Sequence, residues 1–171
     1  MYARFRPYHL IGAIGGFLTV LTAIISLAVS TSYYISAEWV IIVNMLLIGS
    51  NGLIATYFFG AFSASRDSLI KVGSLIAGIG LGFNVLISIL QMAGVYVFVL
   101  ALLGALVMMA GVVIACIKFI MLFQRDAFVV VFCVFIFLGL LLSLFWTWAS
   151  LISGAGLGGL LIYFYVHNIT Y

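Results

Sequence analysis

Polar breaks interrupt this chain at short intervals, and between them run apolar stretches too long for any water-soluble element. Six such stretches read as helices over residues 9–30, 37–62, 69–92, 95–123, 127–149 and 152–167. A helix rises about 1.5 Å per residue, so roughly 20 apolar residues cross the ~30 Å of hydrocarbon in a bilayer. The last stretch, Ile152 to His167, is the shortest. The run from Leu69 to Phe123 is about twice what one span needs. Backbone left in lipid without helical hydrogen bonds costs several kcal/mol per group, so two helices joined near Gly94 are expected there. The same reasoning divides the chain near Ser150–Gly154. The prediction is an all-α polytopic membrane bundle, a single transmembrane domain over residues 1–171 with six helices and short loops.

The first run follows Arg4 and Arg6, as a secretory signal would. Its apolar part, Leu10 to Val29, exceeds the roughly 7–15 residues of such a signal, so it reads as a retained helix.

Composition supports lipid as the main solvent. The chain is 68% hydrophobic and 5% charged, whereas a soluble domain carries about 25% charged residues. The net charge of +3 is spread over separate gaps, with no patch to bind nucleic acid. Position matters more than sum. Arg4 and Arg6 precede the first run, Arg66 and Lys71 flank the second turnaround, and Lys118 and Arg125 flank the fourth. Loops that retain Lys and Arg lie on the cytoplasmic side, so both termini are expected in the cytoplasm of a multi-pass cell-membrane protein. Glu38 is the charge left outside. Trp39, Trp146 and Trp148 fall at outer helix ends, and Tyr57, Phe58, Phe59, Tyr163, Phe164 and Tyr165 are expected to form an inner interfacial belt. The sequon Asn168-Ile169-Thr170 would face the cytoplasm and stay unmodified.

Catalytic chemistry finds no footing. The acids are Glu38, Asp67 and Asp126, none beside a nucleophile or in a metal-ligand spacing, so no enzyme activity is expected. Uncharged polar groups are the better candidates. Asn44 and Asn51 lie seven apart on helix 2 and share a face, and Asn84 and Gln91 repeat that spacing on helix 3. In antiparallel helices Asn44 comes level with Asn84, and Glu38 with Gln91. Such a ladder would line a polar path or bond the two helices together. Thr19, Thr22 and Ser26 form a further polar stripe on helix 1.

Glycines form the second group. Gly12 and Gly16 make a small-xxx-small packing face, and Gly78, Gly80, Gly82 and Gly154, Gly156, Gly158 are denser clusters. They are expected to pack helices closely, the other reading being local unwinding at a binding site. His9 and His167, at inner helix ends, are candidate ligands for haem; interfacial solvation is the simpler expectation. Cys116 and Cys133 come to matching depth on helices 4 and 5 and read as small apolar side chains.

Two functions fit these features. One is a non-catalytic integral subunit of a larger membrane assembly, such as an energy-converting or secretion complex, with lipid and other membrane subunits as partners. The other is a small oligomeric channel or permease, for an ion or small solute, lined by the amides of helices 2 and 3. A haem- or quinone-binding role through the histidines comes third. No resident cofactor is expected in the first two.

Overall fold

The computed structural model describes residues 5–31, 36–95, 97–143, 145–146, 149–169 and 171. Arg4, Tyr33, Tyr34, Trp148 and Thr170, and with Thr170 part of the sequon, lie outside the described residues. The described residues are all helical in class: α1 (Arg6–Ser30), α2 (Ala37–Ala64), α3 (Ser68–Met92), α4 (Phe98–Leu122), α5 (Ala127–Ser143) and α6 (Ser150–Val166). The first four are long and apolar enough to cross a membrane. At 17 residues each, α5 and α6 extend about 25 Å, just short of a hydrocarbon core. The expected sixth helix is recovered within two residues, and the described part of α5 ends at Ser143, residues 144, 147 and 148 of the expected 127–149 lying outside the described residues.

Helix ends are set by short-range chemistry. Asp67 caps α3, its Oδ1 accepting from the Leu69 and Ile70 amides at 2.9 and 3.2 Å. Asp126 caps α5 in the same way, accepting from Phe128 at 3.1 Å. α3 ends at Gly94, whose φ of 80° reverses the chain while the Val95 amide reaches back to the Leu90 carbonyl at 2.9 Å. Asn168, with φ 51°, plays that part after α6, and the Ile169 amide donates to Phe164 at 3.0 Å. Its short polar side chain tolerates the left-handed region that most residues avoid.

The six helices stand in a ring in chain order, each against the next and α6 against α1. Sequential neighbours run antiparallel, so Arg6, Arg66, Lys71, Lys118 and Arg125 gather at one end, called here the basic end. Glycines bring most neighbours together. A Cβ on Gly16 would meet the backbone of Gly154 and Gly158 at 2.7–2.9 Å, which joins α1 to α6. Gly80 sits against the Met108 backbone and Gly111 against that of Ala77, joining α3 to α4. Gly139 faces Ser153, and Gly156 faces Ile136 at 3.0 Å, joining α5 to α6. Gly12 lies under Tyr57, and Gly78 under Phe59. Close backbone approach of this kind is the main way helices associate where hydrophobicity offers no contrast with the solvent. The helices containing these glycines are continuous, so packing rather than unwinding accounts for them. Gly82 departs from expectation: nothing lies within 4 Å of its Cβ position, and it faces outward. Alternate residues on a helix are about 200° apart, so Gly80 and Gly82 cannot both face one neighbour.

Two other expectations need correction. Tyr57, Phe58 and Phe164 are buried in the core rather than set in a surface belt, while Phe59 is exposed. His9 is buried too, at 1% exposure, not solvated at an interface. Both follow from ring closure, which draws the basic ends of α1, α2 and α6 around a common centre. Outward faces carry large apolar side chains such as Phe98, Val99 and Phe128, as a lipid-facing surface would.

The basic end also holds the described ion pair. Lys118 Nζ of α4 lies 2.9 Å from Asp67 Oδ2. That hydrogen-bonded ammonium, helped by the two capping amides, holds the Asp67 carboxyl below its usual range. A carboxylate depressed on folding adds stability above its unfolded pKa of about 4, and that stability is lost as pH falls through the folded value. Asp67→Asn keeps a capping oxygen but no charge. Thermal unfolding in detergent is therefore expected to show a shallower loss of Tm on acidification for Asp67→Asn than for the parent protein. Parallel acid limbs would contradict this role.

Candidate functional site

At the end opposite the basic residues, the ring encloses a vestibule of about 440 Å³ to which each of the six helices contributes side chains. Such a volume falls within the range of small-molecule sites. Its lining divides in two. α1, α2, α3 and α6 supply polar groups, among them Thr19, Thr22, Asn51, Asn84 and Ser153. α4 and α5 supply Met108, Val112, Ile136 and Leu140, with Ser143 alone polar on that side. Among the described residues no Asp, Glu, Lys or Arg lines it.

Several of the lining hydroxyls have already placed their hydrogens. Thr19 donates to Gly15 at 3.1 Å, Thr22 to Leu18 at 2.8 Å, Ser88 to Asn84 at 3.0 Å and Ser153 to Ser150 at 3.2 Å, each onto a backbone carbonyl of its own helix. A hydroxyl so engaged can only accept a further bond. The Asn84 amide donates only to the Met108 sulfur, at 3.6 Å, a weak partner. The Asn51 amide has no hydrogen-bond partner among the described residues. These four hydroxyls thus offer acceptors, and Asn51 offers an unspent amide that can donate and accept.

Of the predicted amide ladder, Asn51 and Asn84 reach the vestibule. Asn44 is buried elsewhere, its amide donating to Val40 in its own helix at 2.9 Å. Gln91 is half-buried and Glu38 exposed, and neither lines the space. The missed contributors are the serines of α5 and α6 (Ser143, Ser150 and Ser153), which only ring closure brings opposite the amides.

Below the vestibule the ring is filled by aromatic rings. His9 stands between Phe5, Tyr57, Phe164 and Tyr171, with ring centroids 5.6–5.8 Å away. Its Nε2 bonds the Ile169 carbonyl at 3.0 Å, so that nitrogen carries the hydrogen, and Nδ1 is left buried without a partner. Tyr171 is brought into this cluster by the turn at Asn168. Its ring meets Phe119 at 4.7 Å and Phe5 at 5.1 Å, and its hydroxyl bonds that of Tyr57. Beyond Tyr171 lies a groove of about 400 Å³, formed with Arg66, Asp67, Leu122 and Phe123. Aromatic side chains, packed with Cys116, Cys133, Leu160 and Leu161, therefore fill the ring between the vestibule and the groove at the basic end.

The other candidates are placed apart. His167 is exposed, its ring 4.2 Å from that of Tyr163 and its Nδ1 at 3.0 Å from the Tyr163 carbonyl. It shares none of its ring contacts with His9. Among the described residues no group of three or more His, Cys, Asp or Glu side chains is arranged to hold a metal. Asp126 Oδ2 accepts from the Tyr163 hydroxyl at 2.6 Å, tying the start of α5 to α6 much as Asp67 ties α3 to α4. Asp67 and Asp126 thus serve both helix starts and helix pairing. Comparison with protein-family models, curated proteins and solved structures yields no match for this chain.

Proposed function

We propose that this chain is a small membrane-embedded channel or permease that takes an uncharged solute into its vestibule. The observation behind this reading is the vestibule itself: side chains of six helices converge on it, and an aromatic layer closes it at the basic end. Placing the basic end in the cytoplasm follows the distribution of Lys and Arg, and the vestibule then opens toward the outer side of the cell membrane. An uncharged solute suits a site whose lining, among the described residues, carries no ionised side chain, because an unpaired charge in that setting is strongly disfavoured.

Reconstituted into liposomes, the protein is expected to speed entry of at least one small uncharged molecule in a panel of polyols, ureas and alcohols. Replacing both Asn51 and Asn84 by Leu removes the amide contacts. With each worth about 1 kcal/mol, flux or binding should fall roughly tenfold or more. Protein-independent flux for every member of the panel would end this reading, as would an unaltered double variant.

A second reading, a non-catalytic subunit of a larger membrane assembly, is favoured by the shortness of α5 and α6. Helices shorter than the bilayer are accommodated by thinning the lipid or by packing against neighbours. Its test is co-purification. A stoichiometric set of other chains retained in mild detergent supports it, and a protein that purifies alone and transports solute opposes it.

A further inference from the structure

We infer that the vestibule is filled from the bilayer, between α4 and α5, and that its ligand is a lipid-soluble molecule with an apolar body and an uncharged hydrogen-bonding group at one end. This rests on the vestibule being a binding site, and three independent features carry it. The first is the seam. α4 and α5 are the least closely packed neighbours in the ring, and no glycine of either helix has its Cβ position against the other. Every other pair is drawn together by at least one such approach, with Gly15 on Ile54 of α2 an example for α1. Where lipid and side chain are equally apolar, close backbone contact is what holds helices together, so this seam parts most readily.

The second feature is the distribution of polarity. The side chains that α4 and α5 give the vestibule, Met108 and Val112 on α4 and Ile136 and Leu140 on α5, form its apolar wall, Met108 lying against α3 and Ile136 against α6. Asn51 stands on α2, which is not next to the seam in the ring, while Asn84 of α3 reaches Met108 on the α4 side. A molecule lying across the space would direct its apolar part to the seam and its polar end to Asn51. The third is the hydrogen-bond inventory. The hydroxyls of Thr22, Ser88 and Ser153 have spent their hydrogens on backbone carbonyls and can only accept, whereas the Asn51 amide can both donate and accept, so the polar wall is matched by a group that does both, such as a hydroxyl.

The chain carries a handle for testing the route. Cys116 of α4 and Cys133 of α5, both buried, bring their thiols together. A mercuric ion can bridge them, each thiol releasing a proton as its sulfur binds, and so pin α4 to α5. The probe is a diazirine-bearing decanol, photolysed with the protein in lipid nanodiscs and mapped by mass spectrometry. Labels are expected on Met108, Val112, Ile136 and Leu140. Excess decanol should suppress them and decane should not. Asn51→Leu should lower vestibule labelling roughly tenfold. Mercuric bridging, or Leu140→Trp, should slow the appearance of label roughly tenfold, with dithiothreitol reversing the bridge and Cys133→Ala abolishing its effect.

If label reaches the vestibule at the parent's rate both with the seam bridged and in the Leu140→Trp variant, the route is wrong while the binding site stands. If glycerol competes and decanol does not, the ligand class is wrong and the permease reading survives. Label confined to outward residues such as Phe98 and Phe128 overturns both.

Discussion

Gly111→Ala is expected to be among the most damaging single-atom changes available in this chain. The new methyl group would fall on the backbone nitrogen of Ala77 and close to the Gly73 carbonyl. Backbone cannot rotate out of the way as the end of a side chain can, so α3 and α4 must separate. Overpacking of this kind costs about 1–3 kcal/mol and sometimes more. Alanine returns only about 1 kcal/mol through its better helix propensity. Because the clash is with backbone, its cost lies at the upper end and wins, with a net loss of up to about 2 kcal/mol, and Asn84 loses its contact with Met108 as the helices part. Gly82→Ala is the matched control. Its methyl would meet nothing within 4 Å, so propensity alone operates and the variant should be equal to or slightly more stable than the parent. Unfolding in mixed micelles by increasing dodecyl sulfate compares the two directly. Equal destabilisation by both would mean that the glycine contacts do not hold α3 to α4.

That pair of glycines also illustrates what the sequence could and could not reveal. Gly12 and Gly16, four apart, lie on one helical face, and both pack. Gly78, Gly80 and Gly82 cannot share a face, and which of them meets a neighbour depends on how α3 is rotated within the ring. Gly73, Gly111 and Gly139 pack as closely as any, yet stand outside the dense clusters and carry no local signature. Helix number, order and most ends were legible because length, apolar content and turn residues are local properties. The centre of the ring was not. Tyr57 and Phe164 are aromatic residues near helix ends, where a belt is the natural expectation, and only the approach of α1, α4 and α6 makes them core. Among the amides the seven-residue spacing placed Asn44 with Asn51. Asn44 nonetheless satisfies itself on its own helix, a choice that spacing does not encode. The polar vestibule was half legible: Asn51, Asn84 and the stripe on α1 were visible as polar residues in apolar runs, but their meeting with the serines of α5 and α6 depends on α6 returning to α1.

The second large effect is expected at Tyr171. Its ring plugs the basic end of the bundle, touching Phe5, His9, Phe119 and Phe164 from three helices and the segment before α1, and its hydroxyl is paired with Tyr57. Truncating a buried aromatic ring to alanine typically costs about 3–5 kcal/mol. Part of that cost here is a cavity in the layer between the vestibule and the groove at Arg66 and Asp67. Tyr57 would keep a buried hydroxyl with no protein partner, which favours entry of water. Tyr171→Ala is therefore expected to connect the two spaces, and liposomes carrying it should leak small uncharged solutes faster than those carrying the parent. Tyr171→Phe separates closure from hydrogen bonding. It retains the ring contacts and loses only a bond worth about 1 kcal/mol, so it should remain as tight as the parent with a modestly lower Tm. A variant that merely misfolds would also lose the Asn51- and Asn84-dependent binding, whereas an opened one keeps it. If Tyr171→Ala keeps that binding and is as tight as the parent, the aromatic layer is not the barrier. The closure would then have to lie higher, among Phe58, Leu81 and Ile54 at the floor of the vestibule itself.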